Sequence, residues 1–262
     1  MRKIIKSFFG DKIYEIIKIL FYSLGNLRNL KCIFYNQSND LNYNIDIFNS
    51  LRFDLERIKS DLANNDLEYL KEDLSWQHHI FLGLKKEKMN ILEIGTHDGS
   101  FTSFLSKNYA TSNIFTIDLN EHNETFLTTY SREDKDFRNE FLRKRKINLS
   151  HQNIRFDEMD SIHLIDKFEK EYFDLIFIDG DHLNPQVTID LFSSILLLKK
   201  NGIMCCDDII LNSYKKNYIS NESYVALDML EKKGLIKNFF IVKRIRKYNA
   251  VLKKYISISY KQ

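Results

Sequence analysis

The stretch Asn90–Phe104, NILEIGTHDGSFTSF, constrains this chain more than any other. Ile91, Leu92 and Ile94 form a short apolar run around one acid, Glu93, and read as a buried strand. Gly95 and Gly99 bracket a turn. Glycine there permits positive φ and lets a ligand approach the main chain. Ser100 opens a segment in which Phe101, Phe104 and Leu105 recur at helical spacing, so Gly99–Ser100 lies near a helix N-terminus with its free N–H groups. A glycine turn between strand and helix is a nucleotide-binding geometry. The spacing is G-x-x-x-G rather than G-x-G-x-x-G, and Glu93 argues against a phosphate beside it.

Strand-like and helix-like segments alternate from there on. Strands are expected at 90–95, 113–118, 153–157, 173–179, 202–207, 238–245 and 250–258. Helices are expected at 99–108, 161–170, 185–198 and 223–233, with a charged helical segment at 121–146. Such alternation predicts a parallel sheet covered by helices on both faces. No helix separates the last two strands, and Lys247-Tyr248-Asn249 supplies a turn, so they should form an antiparallel hairpin.

Residues 1–88 read as mostly helical. Ile47, Leu51, Leu55, Ile58 and Leu62 form a helical stripe that Asn64–Asn65 breaks. Asp66 is a candidate cap for a second short helix, and Ser75 for a third running through Trp76, Phe81 and Leu84. His78 and His79 are adjacent and cannot share a helix face, which disfavours a two-histidine metal site; one should pack and one should be exposed. Ile5, Phe9, Ile13, Ile16 and Leu20 also recur at helical spacing, but charged residues interrupt them. The run falls short of the roughly 20 apolar residues of a membrane span and lacks a signal-peptide pattern. It reads as a helix packing on its own domain or on a second subunit.

With 39 basic and 36 acidic residues the formal charge is only +3, which demands no nucleic-acid partner. The cysteines, Cys32, Cys205 and Cys206, give no disulfide framework or zinc spacing, which points to a reducing cytoplasm. In segment 121–148 the mixed charges suggest a solvated helix. A functional alternative is a lid in which Arg143, Lys144, Arg145 and Lys146 meet an anionic acceptor.

In open parallel sheets ligands bind at the carboxyl ends of the strands. The second expected strand ends in Asp118, suited to the two hydroxyls of an adenosine ribose. Asp160 and Ser161 follow the third, suited to an adenine amino group. The fourth strand leads into Asp179, Asp181 and His182, with Asn184 as a helix cap. The fifth ends in Asp207 and Asp208. Asp179, Asp207 and Asp208 should converge, and three carboxylates repel unless a cation joins them. Hard oxygen ligands suit Mg²⁺ or Mn²⁺. The alternative is that Asp208 caps the next segment and Asp179 bonds backbone.

The E-x-G-x-x-x-G-S motif at Glu93–Ser100 resembles the first motif of class I S-adenosylmethionine-dependent methyltransferases. The Asp179 and Asp207–Asp208 pattern resembles their metal-dependent O-methyltransferase branch, both the sugar-modifying and the catechol type. The resemblance covers about residues 75–258 and implies a Rossmann-like, seven-stranded, mostly parallel sheet with the last strand antiparallel. It divides the chain into a helical N-terminal extension, 1–75, and a methyltransferase domain, 76–262. It implies S-adenosylmethionine contacts at Glu93, Gly95, Thr96, His97, Gly99, Ser100, Asp118, Leu119, Asp160, Ser161 and Asp179. The implied metal ligands are Asp179, Asp207 and Asp208, and the base is His182 or Asp181.

The activity expected is Mg²⁺-dependent methylation of a hydroxyl on a sugar or sugar nucleotide, in polysaccharide or glycoside biosynthesis. It would take place in the cytoplasm, in a homo-oligomer joined through the N-terminal helices. The rivals are methylation of a small phenol or amine, and a non-catalytic S-adenosylmethionine-binding partner subunit.

Overall fold

The computed structural model describes residues 38–67, 76–211, 221–247 and 251–262. The apolar stripe of the first thirty residues, Cys32, Ser75, the segment Asp66 would cap and the turn at Tyr248–Asn249 lie outside them.

Among the described residues three helices precede the first strand: α1 (Ser38–Ser50), α2 (Leu55–Ala63) and α3 (Gln77–Leu84). Then follow β1 (Asn90–Ile94), α4 (Ser100–Asn108), β2 (Asn113–Asp118), α5 (Glu124–Thr128), α6 (Lys135–Asn148) and β3 (Ile154–Glu158). The chain continues through α7 (Leu164–Lys167), β4 (Phe173–Ile178), α8 (Gln186–Leu197), β5 (Leu198–Ile209), α9 (Glu222–Lys232), β6 (Ile236–Lys247) and β7 (Val251–Lys261). Seven strands form one sheet in the order β3-β2-β1-β4-β5-β7-β6. β1 to β5 pair in parallel, and β7 runs antiparallel to both neighbours. This is the Rossmann-like, mostly parallel sheet expected, with the last strand antiparallel.

The strands are apolar on both sides because both faces are covered. Ile91, Leu175, Phe177, Ile203 and Cys205 join a core with Ile58, Phe81, Phe104 and Leu105. Leu92, Ile176, Ile178, Met204 and Cys206 join the opposite core with Val187, Leu191 and Leu227. The two adjacent cysteines thus face opposite ways, as the period of two requires.

The N-terminal helices differ from the expected stripe. Arg52 has a φ of 59° and the chain breaks there, after which Asp54 restarts it by accepting from Arg57 N–H at 3.0 Å. The buried line of α1 is Asp40, Asn44 and Phe48, not Ile47 and Leu51. Phe48 stacks on Phe53 and packs on Trp76. Asp40 pairs with Lys253 at 2.6 Å. Asn44 Nδ2 donates to the Val242 carbonyl and its Oδ1 accepts from Val242 N–H, both at 2.9 Å. A side-chain amide there pairs like another strand and holds α1 on β6.

Three more elements fall short of expectation. The segment at 161–170 is a 3₁₀ turn, Ser161–His163, followed only by α7. The charged segment is interrupted after Thr128, where Tyr130 and Ser131 have φ of 56° and 63°. Asn184 does not cap α8; Pro185 takes the cap position, and Asn184 Oδ1 accepts from Thr188 Oγ1 at 2.5 Å. Among the described residues no helix is long and apolar enough to cross a membrane.

Asn44→Ala leaves the N–H and C=O of Val242 without their partner. It should cost about 1–3 kcal/mol, read as a lower urea midpoint at unchanged slope.

Candidate active site

Register brings the site together. Ile94 pairs with Ile117 and Ile178, and Ile178 pairs with Cys206. The next residue on each strand, Gly95, Asp118, Asp179 and Asp207, therefore stands at one edge of the sheet. All four line a cavity of about 920 Å³, within the usual size range of small-molecule sites. Glu93, Thr96, His97, Ser100, Leu119, Asp160, Ser161, Asp181, His182 and Asp208 line it too. Gly99 stands behind it, as the left-handed residue (φ 74°) that starts α4.

Gly95 is the tightest point. Its φ is 99°, and a Cβ there would lie 2.4 Å from the Asp179 carbonyl oxygen. Glu93, one residue from the strand end, is buried at the inner edge of the cavity, beneath α4. Thr102 and Thr116 hydroxyls donate to its Oε2 at 2.5 and 2.6 Å. Burial pushes Glu93 up to about 8; the two hydroxyls pull the other way, and Asp179 and Asp118 add to the rise.

Asp118 holds the glycine turn in place. Its Oδ2 accepts from His97 N–H at 2.8 Å and its Oδ1 from Leu119 N–H at 2.8 Å. Arg145 Nη2 also donates to Oδ2, at 3.0 Å, and Arg145 Nε donates to the His97 carbonyl at 2.7 Å. Asp98 accepts from Lys144 at 2.5 Å; burial would raise it, but Lys144 and Ser100 hold it down to about 2. Asp160 accepts from Ile162 N–H at 3.1 Å, a turn cap that still reaches the cavity. Ser161 donates to Asp190 at 2.7 Å and accepts from Gln186 at 2.6 Å.

At the other end, His182 Nε2 lies 3.7 Å from Asp179 Oδ1. No group among the described residues hydrogen-bonds to its buried Nδ1. Burial alone would lower His182; Asp179, Asp207 and Asp208 outweigh it and raise it. Asp181 is exposed and accepts from Leu183 N–H at 3.0 Å, closing its own turn.

Adjacent strand residues ordinarily face opposite ways, yet Asp207 and Asp208 both reach the cavity. Pairing with β7 shifts between Cys206 and Ile209, and Asp208 has a φ of 51°. The irregularity turns the second acid back to the side of the first. Both acids already have cations. Lys243 Nζ donates to Asp207 Oδ2 and lies 3.6 Å from Asp208 Oδ1. Lys254 Nζ donates to Asp208 Oδ2. Asp207 Oδ1 is buried without a hydrogen-bond partner. Burial and the charge of Asp179 push Asp207 upward against the pull of Lys243.

Several of these groups escape sequence reasoning. Lys243 ends the apolar run Phe239–Val242 and opens the basic run Lys243–Lys247, so nothing in the local pattern singles it out. Of Trp76, Gln77, His78 and His79, Gln77 lines the cavity. His79 is buried against Trp76, and burial lowers it to about 4. His78 is not free in solvent but packs on Phe101 and Phe104. In the basic quartet, Arg143 pairs with Glu140, Lys144 with Asp98 and Arg145 with Asp118, each with an acid of this chain. Arg132, unforeseen, is buried between Phe126 and Phe141, 4.2 and 4.4 Å from their ring centres.

Two tests follow from this geometry. Gly95→Ala should fold less stably, read as a lower melting temperature, because the new methyl group pushes β1 from β4. Glu93 binds its proton more tightly folded than unfolded. Its contribution to stability is complete below about pH 4.5 and is lost as pH rises through about 8. Glu93→Gln lacks that loss, so its melting temperature relative to the parent should rise between roughly pH 5 and pH 8.5, by several degrees at about 2–4 °C per kcal/mol.

Comparison with known proteins comes last. No curated protein matches the sequence. A protein assigned as a caffeoyl-CoA O-methyltransferase from Staphylococcus aureus is 17% identical, with 85% of this chain and 99% of that one covered and a TM-score of 0.48. One assigned as an O-methyltransferase from Klebsiella pneumoniae is 17% identical over 79% and 89%, at 0.49. Precorrin-6y C5,15-methyltransferase from Geobacter metallireducens is 16% identical over 70% and 86%, at 0.45. Residues 92–209, the stretch from β1 to β5 that carries these strand tips, match the methyltransferase domain family.

Proposed function

We propose that this chain is an S-adenosylmethionine-dependent O-methyltransferase acting on a hydroxyl of a sugar or sugar nucleotide. The observation that carries the reading is the shared edge at which Gly95, Asp118, Asp179 and Asp207 surround one cavity with His182 inside it. The match of residues 92–209 to a methyltransferase domain supports it.

The cavity's chemistry fits the cofactor. Asp118 and Asp160 offer carboxylates where a ribose and an adenine would need acceptors, and Gly95 leaves the main chain open. The bound cofactor supplies an electrophilic methyl group. What the protein adds is alignment and a base. A sugar hydroxyl is a weak nucleophile until its proton is taken. His182 lines the cavity with Nε2 3.7 Å from Asp179 Oδ1, which places its imidazole to take that proton. Asp179 holds the ring and offsets the positive charge it gains. Asp181, spent on its own turn, shapes the loop.

Mg²⁺ or Mn²⁺ on Asp179, Asp207 and Asp208 does not fit this donor set. Lysines already meet two of the three acids, and the described residues hold no cluster of three potential ligands with metal-site geometry. No step is therefore routed through a metal. The polar rim and the size of the cavity suit a hydroxyl-rich acceptor. In this reading residues 1–75 are an extension that joins two copies of the chain, in the cytoplasm.

His182→Ala should keep the thermal shift given by S-adenosylmethionine while turnover falls by about 10²-fold or more. Unchanged turnover across a panel of sugar-nucleotide acceptors would transfer the base role elsewhere. If S-adenosylmethionine gives no shift with the parent chain, the methyltransferase reading fails as a whole.

A further inference from the structure

We propose that Lys243 takes the place of the divalent cation, holding the acceptor oxygen with its ammonium group, so that methyl transfer here is metal-independent. The inference deepens the methyltransferase reading and rests on it.

The geometry is specific. Lys243 lines the cavity, and its side chain is only 10% exposed. Its Nζ donates to Asp207 and has Asp208 at 3.6 Å. An ammonium has three N–H donors. One goes to Asp207 and a second faces Asp208, which leaves a third for an oxygen in the cavity. Lys254 neutralises Asp208 from the other side, so the charge requirement of the acid pair is met by the chain itself. A divalent ion entering among Asp179, Asp207 and Asp208 would have to displace a buried ammonium and then bear its repulsion. The charges of Asp207, Asp179 and Asp208 also favour the protonated lysine, against burial.

The roles then divide between two residues. The acceptor oxygen forms the new C–O bond with a lone pair. The C–S bond breaks and its electron pair stays on sulfur. The hydroxyl proton goes to the His182 imidazole, which lines the cavity. Lys243 keeps its protons throughout and stabilises negative charge growing on the oxygen, as oxyanion donors do. It is thus a catalytic residue that binds substrate, not a base.

Two measurements test this, on the full chain. The first is Mn²⁺ titration followed by electron paramagnetic resonance, with S-adenosylmethionine present and no acceptor. The parent chain should leave micromolar Mn²⁺ free; in a separate assay with an acceptor, its turnover should be unchanged in EDTA. Lys243→Met should bind Mn²⁺ at the vacated acids and gain melting temperature from it, while the parent gains none. The second is turnover: Lys243→Met should lose about 10²-fold or more, with the S-adenosylmethionine thermal shift retained, and Lys243→Arg should recover part of the loss. Tight Mn²⁺ binding by the parent, EDTA-sensitive turnover, or full activity in Lys243→Met each overturns the proposal. The Mn²⁺ arm needs no acceptor, and its parent-chain half needs no variant. It decides the role of Lys243 even if the acceptor class is wrong, whereas absent S-adenosylmethionine binding strikes only the broader reading.

Discussion

The pass of Gly95 against the carbonyl oxygen of Asp179 is the constraint on which the site depends. A Cβ at Gly95 would lie 2.4 Å from that oxygen, so β1 and β4 close at their tips only because residue 95 has no side chain. That closure sets the height of Asp179, and through register the height of Asp118 and Asp207 on the flanking strands. The hydrophobic core does the rest. Two apolar layers, one on each face, lock the register because a slip of one residue would turn Glu93 into the wrong layer.

The acids at the strand tips are not equivalent, and their surroundings show why. Glu93 is sealed beneath Thr102 and Thr116 and favours its neutral form. Asp118 accepts from the turn it braces and from Arg145, and still lines the cavity. Asp207 and Asp208 are neutralised by lysines from the hairpin. Asp179 faces a histidine instead of a lysine. The division of labour proposed for the site follows from this gradient, from structural acid, through cofactor-facing acid, to the pair that supports the acceptor.

Much of this was legible in the sequence. Short apolar runs ending in Gly95, Asp118, Asp179 and Asp207 mark strand tips, because an ionised group inside a strand buried on both faces is costly; Glu93, the acid inside β1, favours its neutral form. The cavity wall was readable for the same reason. The lysines were not. Asp207 meets a partner 36 residues on and Asp208 one 46 residues on, across a sheet pairing that local pattern does not specify. Unpaired, the three acids seemed to ask for a metal. The break at Arg52 was hidden because Leu51 and Leu55 keep helical spacing across it, while left-handed backbone at an arginine leaves no mark in apolar periodicity. Arg145 lay in a run of four basic residues whose members differ only in what the fold places beside them.

The clasp of Asn44 on Val242 has a reach beyond the helix it tethers. β6 is the last strand of the sheet, and its outward N–H and C=O groups are the kind that recruit a foreign strand. Asn44 occupies one such pair, and so blocks intermolecular extension at that point. Val242 also directly precedes Lys243. A partner that shifted α1 would therefore shift the ammonium at the acceptor end of the cavity, which gives the N-terminal region a mechanical line to the chemistry.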